Sequence, residues 1–557
     1  MKTLLYVLAI LTAKLFVTAS MYAQTQQWSA IYNGSPVDIM EKTVIDPSSN
    51  VFVTGERTSS GNYSTQYLAK YNSSGVFQWQ RFFYGPYYNL PNNRGAYSNS
   101  AVTDASGNIY IAGKVDSAFS SYKGYIMKYN SNGDSLWGKY AGIGDTLGYV
   151  EWDAMKMDNA GNIYVAGLNN KYVTYSSSFI IAKYSSSGTL LWVKTQAPPV
   201  FRSSYSTLIR MNLDNSNNVF VSAPAQKSNG SNTTDFYTFK LNSSGSFQWE
   251  SLYNGPADDQ DMVSSMTLDA NGDVFVEGTG TNVTQPFKEI TCIKYNGSTG
   301  AQQWIYKANG SSGNGDNAAY NVAAGPNNDV YLTGSLYTPT TSGDGVLIKL
   351  NATTGIESWR KTLAGANSTP DIYSDVCVIG SGIVYAVGVT NYYSVNSTVW
   401  IKKFNAIGDS LAGATYTQPN YIMPKSIIPG YGSSIYVSGD NTQGIPAGDA
   451  WVVKYSVMTG IDPIHSSTPD KFSLSQNYPN PFNPTTKITF NLPQDSKVTM
   501  NVFDLSGKMV SSLINDRSFT SGAHEIEFNA GSLSSGTYFY QIKAGDFTET
   551  KKMILIK

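Results

Sequence analysis

DNAGNIYVAG (Asp158–Gly167), a Ser- and Tyr-rich loop, then IAKYSSSGTLLW (Ile181–Trp192): this stretch recurs along the chain and decides how it folds. Asp158 and Asn159 suit hydrogen bonding within a tight turn, Gly161 supplies positive φ, and Ile163–Val165 favours a strand. The second part reads as two strands around a turn at Ser185–Gly188. A unit of this length cannot bury its apolar faces alone, so copies must stack on one another.

The strand after the first turn occurs eight times, at Val51–Gly55, Ile109–Gly113, Ile163–Gly167, Val219–Ala223, Val274–Gly278, Val330–Gly334, Val384–Gly388 and Ile435–Gly439. The starts lie 51 to 58 residues apart. A Lys followed by an aromatic or Leu marks the next strand of every unit, from Lys70-Tyr71 to Lys454-Tyr455. Trp79, Trp137, Trp192, Trp249, Trp304 and Trp359 close six units, Ala412 takes that place in the seventh, and the eighth stops at Gly460 without a closing strand. QWSAIYNG (Gln27–Gly34) precedes the first unit yet is similar to QWESLYNG (Gln248–Gly255), the closing strand of the fourth. A ring accounts for both ends, because the leading strand can complete the last sheet and pair two otherwise exposed edges. The expected fold is all-β: an eight-bladed β-propeller with N-terminal strand closure. A linear solenoid has no use for a stray closing strand.

The formal charge is −1, from 38 basic and 39 acidic residues, so no basic field points to nucleic acid. Gly (50) and Tyr (40) are abundant while charged residues make up only 14%, a mix that suits short strands and a neutral aromatic surface outside the cell. Residues 1–23 read as a secretory leader: Lys2, the apolar run Leu4–Ala13, then small residues to Ala23. That run is too short to span a bilayer, no later segment reaches spanning length, and no Cys near Ala23 suggests a lipid anchor. Cys292 and Cys377 fall at non-equivalent positions two units apart, so two free buried thiols are expected.

VTDASGNIYIAG (Val102–Gly113) and MKMDNAGNIYVAG (Met155–Gly167) resemble the bacterial β-propeller repeats abbreviated SBBP, a likeness that covers Trp28–Gly460. Asp46, Asp104, Asp158, Asp214 and Asp269 hold the turn position in units one to five, and Gly325, Gly380 and Gly430 replace them in the last three. The resemblance implies a scaffold, with no activity attached. KLNATTGIESW (Lys349–Trp359) is similar to the Trp-docking repeat of eight-bladed quinoprotein dehydrogenases. Adjacent cysteines that such enzymes use are missing here, so the architecture is kept and no cofactor is expected.

Residues 461–471, with two Pro and three Ser/Thr, read as a linker. Beyond them, Lys487–Leu492, Lys497–Asp504, Met509–Asn515, His524–Asn529, Gly536–Ala544 and Phe547–Ile556 read as short strands with alternating polarity, which suggests an immunoglobulin-like sandwich at residues 472–557. NYPNPFNPTTKITF (Asn477–Phe490), VFDLSGKMV (Val502–Val510), LSSGTYFY (Leu533–Tyr540) and KKMILIK (Lys551–Lys557) together resemble the type A sorting domain of the type IX secretion system. The motif residues are Asn477, Pro479, Asn480, Pro481, Phe482, Asn483, Pro484, Gly507, Gly536 and Tyr538. This likeness implies the type IX machinery as partner and passage through the periplasm of a Gram-negative bacterium. It also implies a secreted or outer-membrane cell-surface destination, with attachment to surface lipopolysaccharide. Pro479, Pro481 and Pro484 remove backbone donors and favour an extended entry to the module.

Both histidines, His465 and His524, lie outside residues 24–460, so the ring offers no imidazole for a triad, a general base or a metal. Carboxylates remain. Asp38, Glu151, Asp153, Asp258, Asp259, Asp261, Asp371 and Asp375 gather near the entry to the innermost strands. They suit either a calcium site, a glycosidase-like pair, or ordinary solvated loop carboxylates, and the last is preferred. The turn Asp set reads as self-capping and the recurring Lys as structural.

The face carrying the long loops also holds Tyr63, Tyr87, Tyr88, Tyr172, Tyr175, Phe287, Tyr337, Tyr392 and Tyr393 among Ser, Thr and Asn. Flat aromatic rings with a polar rim suit a glycan or a protein. The candidate ligand face is therefore Tyr87, Tyr88, Tyr172, Tyr175, Asp258, Asp259, Asp261, Tyr392 and Tyr393. The expected role is binding rather than catalysis. A carboxylate-dependent glycan hydrolase or lyase, or a purely structural surface component, is the alternative.

Overall fold

The computed structural model describes residues 22–557 outside 24, 33–36, 59–63, 86–94, 118–120, 142–148, 172–175, 198–208, 227–232, 282–286, 311–314, 316, 339–341, 366–368, 381, 393, 395, 419–420, 432–433, 443–447, 457–471, 475, 478–479, 493–495, 520–521 and 546. Most of the expected leader and the whole expected linker thus lie outside the described residues. The chain forms two compact units, Met1–Met458 and Thr459–Lys557.

The first unit is built of eight antiparallel sheets of four main strands. Sheets 1 to 7 span residues 37–83, 96–140, 149–196, 210–253, 262–308, 318–363 and 372–416 in chain order. Sheet 8 takes three strands from residues 423–456 and its fourth from Gln26–Tyr32. That strand pairs antiparallel with Gly448–Ser456, setting Trp28 opposite Lys454 and Ile31 opposite Trp451. A short strand, Tyr22–Ala23, adds in parallel to the edge of sheet 7 at Ala412 and Gly413. Within the unit, the first strand of each sheet lies against the first strand of the next, and sheet 8 lies against the first strand of sheet 1. The order closes on itself.

Burial follows from that stacking. The second and third strands are covered on both faces, so Val219–Gln226 and Thr234–Leu241 are buried at nearly every position. The fourth strands are half exposed and alternate, as in Glu357–Leu363. Each apolar core lies between consecutive sheets. Tyr164 and Phe179 of sheet 3 pack with Val221 and Phe239 of sheet 4, and Tyr436 and Val452 of sheet 8 pack with Val53 and Tyr67 of sheet 1.

The repeated residues knit the sheets together. Seven tryptophans, Trp28, Trp79, Trp137, Trp192, Trp249, Trp304 and Trp359, each donate Nε1–H to a backbone carbonyl in the far turn of the next sheet, at 3.0 to 3.2 Å. In five sheets the repeated Lys donates to the same carbonyl: Lys70 and Trp79 share Ser131 O, and Lys240 and Trp249 share Gly297 O. All eight lysines also lie over the aromatic ring paired with them across the strand, 4.7 to 5.9 Å from its centroid. The receiving turn needs Gly twice over. Gly245 has φ of +81°, and a methyl group there would sit 2.9 Å from the ring of Trp192.

The Asp turns cap themselves. Asp104 Oδ1 accepts from the amides of Ser106 and Asn108, and Oδ2 from Asn108 Nδ2, with Asp158 and Asp214 repeating the set. Those bonds hold the Asp104 and Asp158 carboxyls below the usual range against the opposing effect of burial. Where Gly325 replaces the Asp in sheet 6, Asp329 at the other end of the turn supplies the carboxylate for Lys349 at 2.9 Å.

The second unit consists of a three-stranded sheet (Ser473–Leu474, Thr485–Leu492, Gly522–Asn529) and a four-stranded one (Met509–Phe519, Ser496–Phe503, Gly536–Ala544, Phe547–Leu555). Both contribute to a single core that includes Phe482, Ile488, Phe490, Met500, Tyr540 and Met553. Within the motif, Asn477 is buried, takes a bond from its amide to Tyr540 Oη at 2.7 Å and donates Nδ2–H to Thr486 Oγ1. Asn480 Oδ1 accepts the Ile554 amide, and the Phe482 backbone pairs with Ile554 and Ile556. These bonds tie the motif to the last strand. Pro479 lies outside the described residues.

Candidate functional site

The inner strands hold a register feature that repeats. A β-bulge interrupts the pairing of the first two strands in every sheet except sheet 4, where the first strand is described only from Arg210. A bulge turns two successive residues toward one side. Here that side is a central cavity of about 560 Å³, lined from all eight first strands. The residue after the bulge is Lys42, Ser100, Ala154, Ser265, Asn321, Asp375 and Ser426 in turn, and Arg210 holds the equivalent pairing in sheet 4.

Polar links run from sheet to sheet around this channel. Asn99 Nδ2 donates to Trp152 O and to Asp153 Oδ1, at 3.2 and 3.1 Å. Arg210 Nε donates to Ser264 O at 2.6 Å, Ser265 Oγ bonds Asn321 Oδ1, and Asn321 Nδ2 donates to Asp375 Oδ1. Asp375 Oδ2 accepts the Ile427 amide at 2.7 Å, and Lys425 returns to sheet 1 through Met40 O at 2.7 Å. Burial pushes the Asp375 carboxyl up to about 6 despite these bonds. Asp153 is pushed well above the usual range by burial and then by the charge of Glu151, which itself pairs with Lys114 at 2.8 Å.

The loop-face carboxylates divide differently from the sequence expectation. Asp38, Asp153, Asp261 and Asp371 are buried rather than solvated. Asp261 directs Oδ2 to the Gly255 amide at 2.5 Å and Oδ1 to the Thr281 amide at 3.3 Å. Asp371 repeats the arrangement with the Gly365 amide and, at 2.7 Å, the Asn391 amide. Each thus braces three segments: the exit from the preceding sheet, the entry to an inner strand, and the end of the second strand. Burial raises the Asp371 carboxyl, and the two amides partly offset that rise.

Asp258 and Asp259 are exposed, with Asp258 at φ of +53° and accepting from Asn254 Nδ2 at 2.7 Å. The cluster Asp258, Asp259, Asp261 is therefore not a converging set, because Asp261 faces inward onto amides. Among the described residues, no group of three His, Cys, Asp or Glu side chains is placed to hold a metal ion. Tyr392 is half-buried, and its ring lies 5.4 Å from that of Tyr421. Tyr87, Tyr88, Tyr172, Tyr175 and Tyr393 lie outside the described residues. Cys292 is buried and Cys377 only half-buried, both as free thiols.

Sequence reasoning missed the channel residues Lys42, Lys156, Arg210 and Asn321. The available signal was a charged or amide side chain a few positions before the turn, in strands otherwise apolar.

Residues 476–557 match the family described as the secretion system C-terminal sorting domain. The match implies export by type IX secretion, to the cell surface or the medium, and contact with that secretion machinery. No curated protein matches the chain. Among solved structures, the chain is similar to a quinohemoprotein alcohol dehydrogenase from Pseudomonas putida, at 11% identity and a TM-score of 0.46 over 78% of this chain and 76% of that one. It is also similar to the β-propeller domain of a protease from Pyrococcus furiosus, at 9% identity and a TM-score of 0.37 over 64% and 94%. A polysaccharide lyase, an ulvan lyase, gives 12% identity and a TM-score of 0.39 over 71% and 96%. No helix among the described residues is long and apolar enough to cross a membrane.

Proposed function

We propose that the chain is a secreted or cell-surface binding protein: an eight-bladed, SBBP-type propeller carried out by an immunoglobulin-like sorting module. It holds an extracellular glycan or protein on its long-loop face. The working boundaries are 1–23 for the leader, 24–460 for the ring, 461–471 for the linker and 472–557 for the module. The observation that carries this reading is the sorting-domain match at residues 476–557. Eight sheets in closed order, with Gln26–Tyr32 completing the last, support the ring. Two sheets around one core support the sandwich. The leader delivers the chain to the periplasm of a Gram-negative cell, and the module then engages the export machinery, with surface lipopolysaccharide as an anchor.

Binding is favoured over hydrolysis because Asp261 and Asp371, the carboxylates best placed at the mouth, are already committed to backbone amides. A buried acceptor with that task braces loops and is poorly placed to attack or protonate a substrate. Deleting residues 472–557 is expected to trap the protein in the periplasm, read by protease accessibility on whole cells; surface display without the module refutes the export reading. A glycan array and a protein pull-down with the full chain test the face. Binding lost on replacing Tyr87, Tyr88, Tyr392 and Tyr393 by Ala supports it, and turnover lost in Asp258→Asn or Asp259→Asn replaces it with the hydrolase reading.

A further inference from the structure

Where sheets 2 and 3 meet at the mouth of the channel, the side chains depart from the repeat. Tyr97 pairs with Lys114 across the first two strands of sheet 2. In five other sheets the first-strand residue at that point is Ile39, Met262, Ala318, Ile372 or Met423, so the fold asks only for an apolar side chain there. Sheet 3 breaks the same rule with Glu151. The two exceptions meet through Lys114. Its Nζ bonds Glu151 Oε1 at 2.8 Å and lies over two rings, 5.5 Å from the centroid of Tyr97 and 5.3 Å from that of Tyr122. Tyr149, at the start of sheet 3, lies 6.4 Å from Tyr122 between centroids and at 61° between planes, so these two rings form a corner. All five side chains are half-buried and sit near the strand ends that the long loops join.

Below this corner the wall is polar and incompletely bonded. Two residues further along the same strands, Asn99 and Asp153 line the channel and bond each other at 3.1 Å. Asp153 is 8% exposed, and its Oδ2 is buried with no hydrogen-bond partner among the described residues. A carboxyl oxygen left bare on a cavity wall is costly unless something in the cavity meets it. Lys114 and Glu151 keep capacity too, because an ammonium carries three donors and a carboxylate two oxygens. Their charges cancel. Burial, and then the charge of Glu151, pushes the Asp153 carboxyl up towards its neutral form, and Arg210, which faces it from sheet 4, is bonded to Ser264 O.

We propose that this corner seats one neutral sugar residue of a glycan, with Tyr122 and Tyr149 against its C–H faces and Lys114, Glu151 and Asp153 on its hydroxyls. Aromatic faces beside fixed donors and acceptors match a pyranose ring, which is apolar on its faces and polar around its edge. An acidic sugar would bring its charge against Glu151, whose cation is already Lys114. The proposal rests on the loop-face binding reading and narrows it to a glycan, at residues separate from Tyr87, Tyr88, Tyr392 and Tyr393.

The test is affinity electrophoresis of the full chain in native gels containing a neutral polysaccharide (β-glucan, mannan, xylan or galactan) or an acidic one (alginate or polygalacturonate). Retardation by a neutral polysaccharide is expected for wild type and for Tyr431→Ala, a control at an exposed turn of sheet 8. Tyr122→Ala, Tyr149→Ala and Lys114→Met are each expected to weaken it about tenfold. Tyr122→Phe, which keeps the ring, is expected to retain it. Melting curves accompany every gel, and Lys114→Met carries the test where a Tyr variant unfolds. Undiminished retardation in folded Tyr122→Ala or Tyr149→Ala overturns this site, while its loss on replacing Tyr87, Tyr88, Tyr392 and Tyr393 leaves the loop-face reading standing. Stronger retardation in the acidic gels overturns the neutral sugar. Unchanged migration in every neutral gel overturns the site, and the binding reading then stands or falls on a protein partner in the pull-down.

Discussion

Replacing Trp249 with Ala removes the side chain that joins sheet 4 to sheet 5. Its ring is 7% exposed, lies 6.1 Å from Phe220 in an edge arrangement, and rests on the turn at Gly300. Its Nε1–H donates to Gly297 O at 3.1 Å. Truncating a buried Trp costs about 3–5 kcal/mol. Large unfolding entropies dilute this: with about 2.1 cal/mol/K per residue, a unit of this length loses roughly 3–5 °C of melting temperature. Trp249→Phe separates the contributions. It keeps most of the apolar contact and loses the N–H, while Gly297 O still accepts from Lys240 at 2.7 Å and is not left bare. The expected cost is about 1 kcal/mol. Calorimetry on the full chain reads both variants, with Lys240→Met and the double variant completing a cycle. A Trp249→Ala shift below about 1 °C, or equal losses for Ala and Phe, refutes the docking argument.

Glu277 is fully buried with neither carboxyl oxygen bonded, and burial raises its pKa well above the usual value. Its folded form therefore favours the proton, so stability should fall as pH rises from the unfolded pKa of about 4.3. Glu277→Met should raise the melting temperature at pH 7.5 more than at pH 4.5; an equal or opposite effect contradicts this. Gly245→Ala forces a strained φ and a clash with Trp192, and a melting temperature within error of wild type would be inconsistent with the turn geometry. Asp371→Ala should speed hydrogen exchange at Gly365 and Asn391 and spare Gly255 and Thr281, which Asp261 holds. Faster exchange everywhere would point to global loosening instead.

The turns, the Lys and Trp positions and the leading strand were legible because each is a local signal repeated in register. Asp158 caps its own turn and Lys183 lies over Tyr164, interactions set by residues a few places or one strand apart. The channel was not legible, because a bulge breaks the period-two rule: Glu41 and Lys42 are neighbours in sequence and both line the cavity. For the same reason Asp153 and Asp375 looked like loop carboxylates and are wall residues. Asp261 and Asp371 misled in another way, since an Asp at a strand entry gives no hint that amides from two other segments converge on it.

The bond between Ser456 N–H and Thr25 O joins positions 431 residues apart, and the sheet it borders pairs Gln26–Tyr32, near the start of its unit, with Gly448–Ser456, the unit's last strand. A ribosome releases the first of these long before the second exists. Until synthesis passes Ser456, the early segment has no edge to occupy and the sheet beside it lacks its cover. Assembly of this unit must wait for its own last segment, and anything that threads the polypeptide across a membrane beforehand handles an open, unfinished molecule.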